Sequence, residues 1–467
     1  MKTAEPVALE GRSKRTAWVL SALAAVVVVI GCRFLFPEPM LFRAASIAGV
    51  CLVLWLSEVV PLYATTLMLW VGMATLLAPL DPKNFSLPRV LTAAANPVMA
   101  LFFGGFALSV AGAKYGIDRY IAGWMVRASR GRRVGLLAAI MAGTAVLSMW
   151  MSNIAAAAMM MTTLGPLFGR AGGDDGSAPV SADDLRFRTA LLLGVAFAAD
   201  FGGMGTPIGT GPNLIAIGAV SDRHAITFLD WVVLGVPLAA AMSALAFVLL
   251  AWLYRVRGRI GAAAAAIRPA RLSGRGWSVV AIFFVAVGMW LLEPVHGVPA
   301  AVTALAVAAA LFAAGLLDHR DLDRLEWDTL LLIAGGLTLG ELFHASGLAA
   351  AMAGAVDWGA LPRPVLLMGL VFACALISAV ASNTAASAML IQIALGIVPS
   401  PSVAVLVAMG ASMGVPFVIS TPPNSMAYGQ GGLRGKDLFV PGMILMLAGC
   451  TLVALTGPGV LRLLGIP

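Results

Sequence analysis

Charge is scarce in this sequence. Of 467 residues, 30 are Lys or Arg and 22 are Asp or Glu, 11% in all, where soluble chains carry about 25%. With 60% hydrophobic residues and a mean hydropathy of +0.95, no single soluble core hides the apolar surface, whereas lipid solvates it directly. Cysteine is equally sparse. Cys32, Cys51, Cys374 and Cys450 lie in apolar segments without CxxC spacing, which excludes a disulfide framework or a thiolate metal site. The four histidines (His224, His296, His319, His344) fall in loops or at span ends without ligand spacing. No Ser–His or paired-carboxylate arrangement is visible among the spans, which argues against an intramembrane enzyme.

What charge there is has a pattern. The net charge of +8 and pI near 9.7 come from clusters: Arg12, Lys14 and Arg15; Arg127, Arg130, Arg132 and Arg133; Arg255, Arg257, Arg259, Arg268, Arg271 and Arg275. The loops 81–88 and 293–299 are nearly free of basic residues. That alternation is the positive-inside signature of an inner-membrane protein, not a nucleic-acid surface. The first apolar run, 17–36, loosely resembles a lipoprotein signal ending at Cys32, but about 20 residues suffice to span the bilayer, so it reads as the first transmembrane helix.

Taking the charge rule through the chain gives spans near 17–36, 41–60, 62–79, 96–113, 189–220, 230–254, 277–293, 298–317, 329–346, 402–428 and 438–465. Residues 117–130 read as an amphipathic interfacial helix. The polar loop 169–188, with Arg170, Asp174, Asp175, Asp183 and Asp184, keeps the charge rule only if 134–168 enters and leaves on one side as a helical hairpin. Residues 364–398 form a second hairpin. The expectation is an all-α polytopic protein of about 11 transmembrane helices and two re-entrant hairpins, its N-terminus cytoplasmic and C-terminus outside.

The two halves echo each other. Residues 152–159 (SNIAAAAM) align without gaps on 382–389 (SNTAASAM), and IGTGPN at 208–213 matches ISTPPN at 419–424. The segments around Gly104-Gly105 and Gly335-Gly336 precede them in the same order. On the topology above the first hairpin opens inside and the second outside, so the repeats are inverted, an architecture of secondary transporters with a midplane site. Ser and Asn in an apolar hairpin need partners. A broken helix supplies free carbonyls and N–H groups, suited to a small cation such as Na⁺ and to a carboxylate. Small polar motifs also glue transmembrane helices, but two copies, each followed by a Thr-x-Pro-Asn break, point to a binding site.

These paired motifs resemble the divalent anion/sodium symporter family, the sodium-coupled dicarboxylate, tricarboxylate and sulfate carriers, over about residues 40–465. The resemblance implies a homodimer working as an elevator. It divides the chain into a cytoplasmic N-terminus (1–16), scaffold helices with the interfacial helix (17–133) and transport-domain repeat 1 (134–254). A basic cytoplasmic loop (255–276), further scaffold helices (277–346) and transport-domain repeat 2 (347–467) follow. It implies one Na⁺ site at Ser148, Ser152, Asn153 and Gly202, and another at Ser378, Ala381, Asn383 and Ser420. A small anionic substrate, a dicarboxylate first, would meet Asn153, Ile154, Asn383, Thr384, Thr421 and Pro422.

Four positions depart from that pattern. Ile154 stands where the family has a hydroxyl residue, and Thr162 and Gln392 replace a proline further along each hairpin. Asp200 sits mid-span before Gly202-Gly203, and an intramembrane carboxylate is a functional hypothesis by default; it is the candidate coupling residue. Glu58 and Glu341 read as scaffold anchors. The expected function is Na⁺-coupled symport of a di- or tricarboxylate. The rivals are a Na⁺-independent exchanger, a proton-coupled carrier using Asp200, a sulfate or other oxyanion carrier, and, from other classes, an intramembrane enzyme or a channel.

Overall fold

The computed structural model describes residues 5–165, 181–260, 271–355 and 358–466; Arg170, Asp174, Asp175 and Arg268 lie outside the described residues. Within them the chain is helical, with one isolated β-bridge and no strand. The helices that matter below are α1 (Glu5–Leu35), α2 (Pro39–Ser57), α3 (Leu62–Gly72), α4 (Pro97–Lys114), α5 (Ile117–Ala128), α6 (Arg133–Ser148) and α7 (Asn153–Thr163). Then come α8 (Ala182–Gly202), α9 (Gly211–Val220), α10 (Phe228–Leu253), α11 (Gly274–Leu291), α12 (Ala300–Ala313), α13 (Trp327–Ala345) and α14 (Leu348–Gly354). The last are α15 (Arg363–Ser378), α16 (Asn383–Ile397), α17 (Pro401–Ala411), α18 (Pro422–Gly429) and α19 (Gly435–Leu463).

Among the described residues, seven helices are long and apolar enough to cross a membrane, and eight if the pair α13–α14, bent by 68°, counts as one span. Shorter apolar helices of 10–17 residues lie between them. The interval 298–317 yields only the 14-residue α12, about 21 Å long against a hydrocarbon core of about 30 Å. The interval 81–88 is not plain loop: Pro82–Phe85 and Leu87–Val90 form single helical turns. Helix α8 begins at Ala182 rather than 189. Ser181 caps it, its Oγ accepting from Asp184 N at 3.1 Å, Asp183 and Asp184 occupy the positive first turn, and Arg133 pairs with Asp184.

Burial separates the centre from the periphery. The apolar window of α8 is 89% buried and that of α1 only 11%, so α8 is the central helix and α1 lies at the edge, packed on α2. Helix α8 packs on α6 and α10, and α9 and α15 both pack on α17. Exposed Trp18, Val27, Phe34, Trp252, Phe284 and Leu463 are surface that lipid, not water, tolerates. The two basic clusters meet: Arg132 pairs with Arg259 in the β-bridge, and Ile260 N donates to Gly131 O at 2.9 Å. Clusters 127 positions apart therefore share one face, as the charge rule requires of two loops on one side.

Candidate functional site

The site is built where helices stop. Helix α6 ends at Ser148 and α7 starts at Asn153; in between, Ser152 is extended (φ −62°, ψ 150°) and its Oγ accepts from Ala155 N at 3.3 Å. Ser is a strong N-cap and cannot continue a helix without loss. The second unit repeats this, α15 ending at Ser378 and α16 starting at Asn383 after an extended Ser382 (φ −57°, ψ 130°).

Identical contacts hold both turns. The Ser148 hydroxyl lies 2.6 Å from Ala199 O and 2.8 Å from the Asn153 amide. The Ser378 hydroxyl lies 2.6 Å from both Ala411 O and Asn383 Oδ1. A serine has one proton to give, so each cluster holds more oxygen acceptors than hydroxyl donors. With its nitrogen inward, the Asn153 amide donates to Ser148 Oγ, Ala199 O (3.1 Å) and Gly209 O (3.3 Å). With its oxygen inward, four oxygens face one another, an arrangement that a bound cation reconciles.

Each unit is followed by a break in its neighbouring span. After α8, single 3₁₀ turns at Gly203–Gly205 and Pro207–Gly209 lead to α9, and α17 and α18 are separated by 412–421. An asparagine staples each break. Asn213 Nδ2 donates to Gly203 O at 2.9 Å and Thr206 O at 2.7 Å; Asn424 Nδ2 donates to Val415 O at 3.0 Å and Phe417 O at 3.1 Å. Both amides are fully buried, and they satisfy carbonyls that a broken helix leaves without partners. Each break is also tied to the turn before its partner tip: Thr206 Oγ1 donates to Met149 O, and Ser420 Oγ donates to Ala379 O at 2.7 Å.

Tips and breaks together surround a cavity of about 680 Å³. All six residues expected at the substrate, Asn153, Ile154, Asn383, Thr384, Thr421 and Pro422, line it, with Ser152, Ser420 and Asp200. Ser148 and Ser378 are buried behind the tips. Gly202 and Ala381 do not line it: Gly202 lies so close to Ala145 O that a Cβ has no room, and Ala381 is buried in the turn.

Asp200 is 1% exposed; its Oδ2 accepts from Thr421 Oγ1 at 2.9 Å, and its Oδ1 has no hydrogen-bond partner. Three further carboxylates line the cavity, Glu58, Glu326 and Asp328. Sequence reasoning placed Glu58 as an anchor and passed over the other two. Glu58 occupies a left-handed C-cap (φ 49°) on α2 and lines the cavity from there. Glu341, by contrast, pairs with Arg89 at 3.5 Å. Glu326, just before α13, accepts from the Ser152 hydroxyl and from Thr329 Oγ1 at 3.3 Å. No Lys, Arg or His lines this cavity among the described residues. Nor, among them, do three His, Cys, Asp or Glu side chains group as a metal site; the oxygens that meet at the two tips are hydroxyl, amide and carbonyl.

Known proteins give a consistent picture. The family model described as citrate transporter matches residues 52–409. An uncharacterised transporter of Haemophilus influenzae is 27% identical over 441 residues, covering 90% of this chain and 92% of that protein. A sodium-dependent dicarboxylate transporter of Staphylococcus aureus is 23% identical over 470 residues, covering 93% and 89%. Among solved structures, the YdaH transporter of Alcanivorax borkumensis superposes with a TM-score of 0.57 at 15% identity, covering 85% of this chain and 97% of that one. That last likeness concerns the fold alone.

Proposed function

Because the chain belongs to the citrate transporter family, and so is a multi-pass membrane transporter and not an enzyme, we propose that it carries a small di- or tricarboxylate by Na⁺-coupled symport. The observation that carries this reading is the doubled arrangement of Ser148, Asn153 and Ala199 O against Ser378, Asn383 and Ala411 O, in which the two asparagines line one cavity and the serines are buried behind them. Each copy concentrates neutral oxygens suited to one Na⁺, and the amides and hydroxyls of Asn153, Asn383, Thr384 and Thr421 offer donors to a carboxylate. Gly202, Ser152, Ala381 and Ser420 would complete the two cation sites.

Charge favours cation coupling on two counts. A dianion entering a cavity that Glu58, Asp200, Glu326 and Asp328 line without a basic side chain meets like charge unless cations accompany it. Moving it inward against a negative-inside potential costs about 2.3 kcal/mol per charge per 100 mV, a term that two or three Na⁺ cancel or reverse. The sodium dependence and dicarboxylate named for the Staphylococcus aureus relative point the same way.

The finer mechanism belongs to the same proposal. Residues 134–168 and 364–398 act as re-entrant hairpins of two inverted repeats among about 11 spans. The helices of 134–254 and 347–467 move as a transport domain against the scaffold of 17–133 and 277–346, in a homodimer. The N-terminus (1–16) and the basic loop (255–276) lie in the cytoplasm and the C-terminus outside, in an inner membrane. Small residues along the seam fit such sliding: a Cβ on Gly336 would meet Ala388 Cβ at 2.8 Å, and one on Gly218 would meet Leu337 Cδ2 at 2.6 Å.

A second reading rests on the unpartnered Asp200 Oδ1: a carboxylate that takes up a proton, making the carrier proton-coupled. Uptake of labelled succinate and citrate into proteoliposomes, under an inward Na⁺ gradient or an equal K⁺ gradient, separates the readings. Concentrative uptake with Na⁺ alone supports symport. Uptake driven by an inward proton gradient and lost in Asp200→Asn supports the second reading. Uptake that needs only internal dicarboxylate makes the protein an exchanger.

A further inference from the structure

A second cavity, about 510 Å³, is lined by Arg89, Asn96, Arg223, Glu341, His344 and Gln392 among others. Four helices line both cavities, each with a different part of its length. Helix α4 reaches the central cavity with Phe102 and Phe106 and the second with Pro97; α9 does so with Gly211 and Gly218; α13 with Thr329 and His344; α16 with Asn383 and Gln392. Asn383 and Gln392 stand nine positions apart on α16, about 14 Å of helix. Between the cavities the seam is closely packed, Ala388 against Gly336, and Leu337 lies against Gly218 at the edge of the second cavity. The two cavities are thus opposite ends of one packed seam.

They differ in charge. The central cavity presents four carboxylates and no basic group, whereas the second presents Arg89, Arg223 and His344 beside Asp222 and Glu341. Arg89 is paired with Glu341 at 3.5 Å; Arg223 is exposed and forms no ion pair among the described residues. The 18-residue α4 directs its N-terminus here, at Asn96-Pro97, the positive end of its dipole.

Gln392 supplies the independent pointer. It is 7% exposed and its Nε2 has no acceptor. Its carboxamide lies against Gly340, where a Cβ would come within 2.8 Å of that nitrogen, so the head group sits in space that only a glycine leaves open. A buried amide donor without a partner is uncommon and calls for an explanation, and in a cavity that also holds a guanidinium without an ion pair the matching chemistry is an oxyanion.

We infer that the second cavity is an anion-binding antechamber, holding a small carboxylate between the Arg223 guanidinium and the Gln392 amide before or after it occupies the central site. The word antechamber rests on the transport reading; anion binding does not, and its test uses no transport. In nanodiscs, His344→Cys is modified with a negatively charged methanethiosulfonate reagent in sodium citrate or in sodium chloride of equal ionic strength. The chain also carries Asn153→Ala and Asn383→Ala to disable the central site, and the His344 chain supplies the labelling background.

Citrate is expected to slow modification, and Arg223→Gln or the near-isosteric Gln392→Glu to weaken that protection about tenfold, the order for losing one hydrogen bond to a charged group. Arg223→Lys should retain part of it. Equal rates in citrate and chloride overturn the inference, as does full protection surviving in Arg223→Gln, a surface change that leaves the packed seam intact. Protection without succinate or citrate uptake sinks the carrier reading and leaves this one standing; uptake without protection does the reverse.

Discussion

Thr421 donates a 2.9 Å hydrogen bond to Asp200 across 221 positions of chain, joining the break after α17 to the central helix α8. The same Thr421 hydroxyl accepts from Asn424 N at 3.3 Å, so the carboxylate, the second break and its stapling asparagine form one chain of hydrogen bonds. The position equivalent to Asp200, next after the carbonyl that the serine reaches, is Ser412. The site is therefore symmetric in its oxygens and asymmetric in its charge.

Asp200→Asn keeps an acceptor for Thr421 and removes the charge. The expected result is a folded carrier whose activation by Na⁺ needs about tenfold more cation, the order for one lost contact to a charged group. Initial uptake rates against Na⁺ concentration check this. An unchanged activation curve removes Asp200 from coupling.

Glu326 holds the first tip through the Ser152 hydroxyl. A hydrogen bond to a charged group is worth about 1.5–3 kcal/mol, so Glu326→Ala should depopulate the arrangement described here by roughly tenfold or more. Ile154 is 45% exposed in the cavity. The labelling rate of Ile154→Cys, with and without Glu326→Ala, reads the shift, and Glu326→Gln, which still accepts, should restore most of it. Equal rates in all three would mean that the contact is energetically idle.

Asn213→Ala and Asn424→Ala each remove a buried amide that satisfies two carbonyls. Each should destabilise the protein by about 1–3 kcal/mol, seen as a lower midpoint of thermal unfolding in detergent. Asn84→Ala, in the one-turn helices near the α3 end, serves as the control. Midpoints within error of the parent would show that the breaks hold their shape without the staples.

Gly336→Val and Gly218→Val thicken the seam at points with no room for a Cβ. Overpacking costs about 1–3 kcal/mol, and the proposed sliding should fail before folding does: uptake lost, with the protein still monodisperse. At Gly112, where nothing lies within 4 Å of an added Cβ, Gly→Ala should leave uptake unchanged. Normal uptake in both seam variants would argue against relative motion there.

Ile154→Thr adds a hydroxyl at the rim of the cavity. If the substrate carboxylate lies beside it, half-saturation should fall by up to about tenfold in a concentration series for succinate. No change would put the substrate against Asn383 and Thr384 alone.

The units that build the site were legible because they interrupt something regular. Ser152-Asn153 and Ser382-Asn383 stop apolar runs, and Gly, Pro and Asn cluster in 202–213 and 420–424, so the local chemistry of helix ends marked the places. Asp200 stood out as a carboxylate in an apolar span. Glu58, Glu326 and Asp328 did not, because an acidic residue at a span end looks the same whether it faces water or a cavity; only the packing of α2 and α13 around the tips distinguishes the two. The early start of α8 was hidden for a related reason: Asp183, Asp184, Arg186 and Arg188 make a polar sequence, but Ser181 and the helix dipole turn it into a first turn. Gln392 was visible only as a departure, since its meaning depends on Gly340, 52 positions earlier.

Helix α13 has a consequence of its own. Its 19 residues carry Asp328 at one cavity and His344 at the other, about 24 Å apart along the helix, with Trp70 Nε1 donating to Thr338 Oγ1 at 2.9 Å between them. A continuous helix shifts both of its ends when it shifts one. Where ligands at both cavities discriminate between settings of α13, each must, by thermodynamic reciprocity, alter the affinity of the other by the same factor. A compound that never enters the central site can therefore act as an allosteric inhibitor, and its potency would depend on how much substrate is bound.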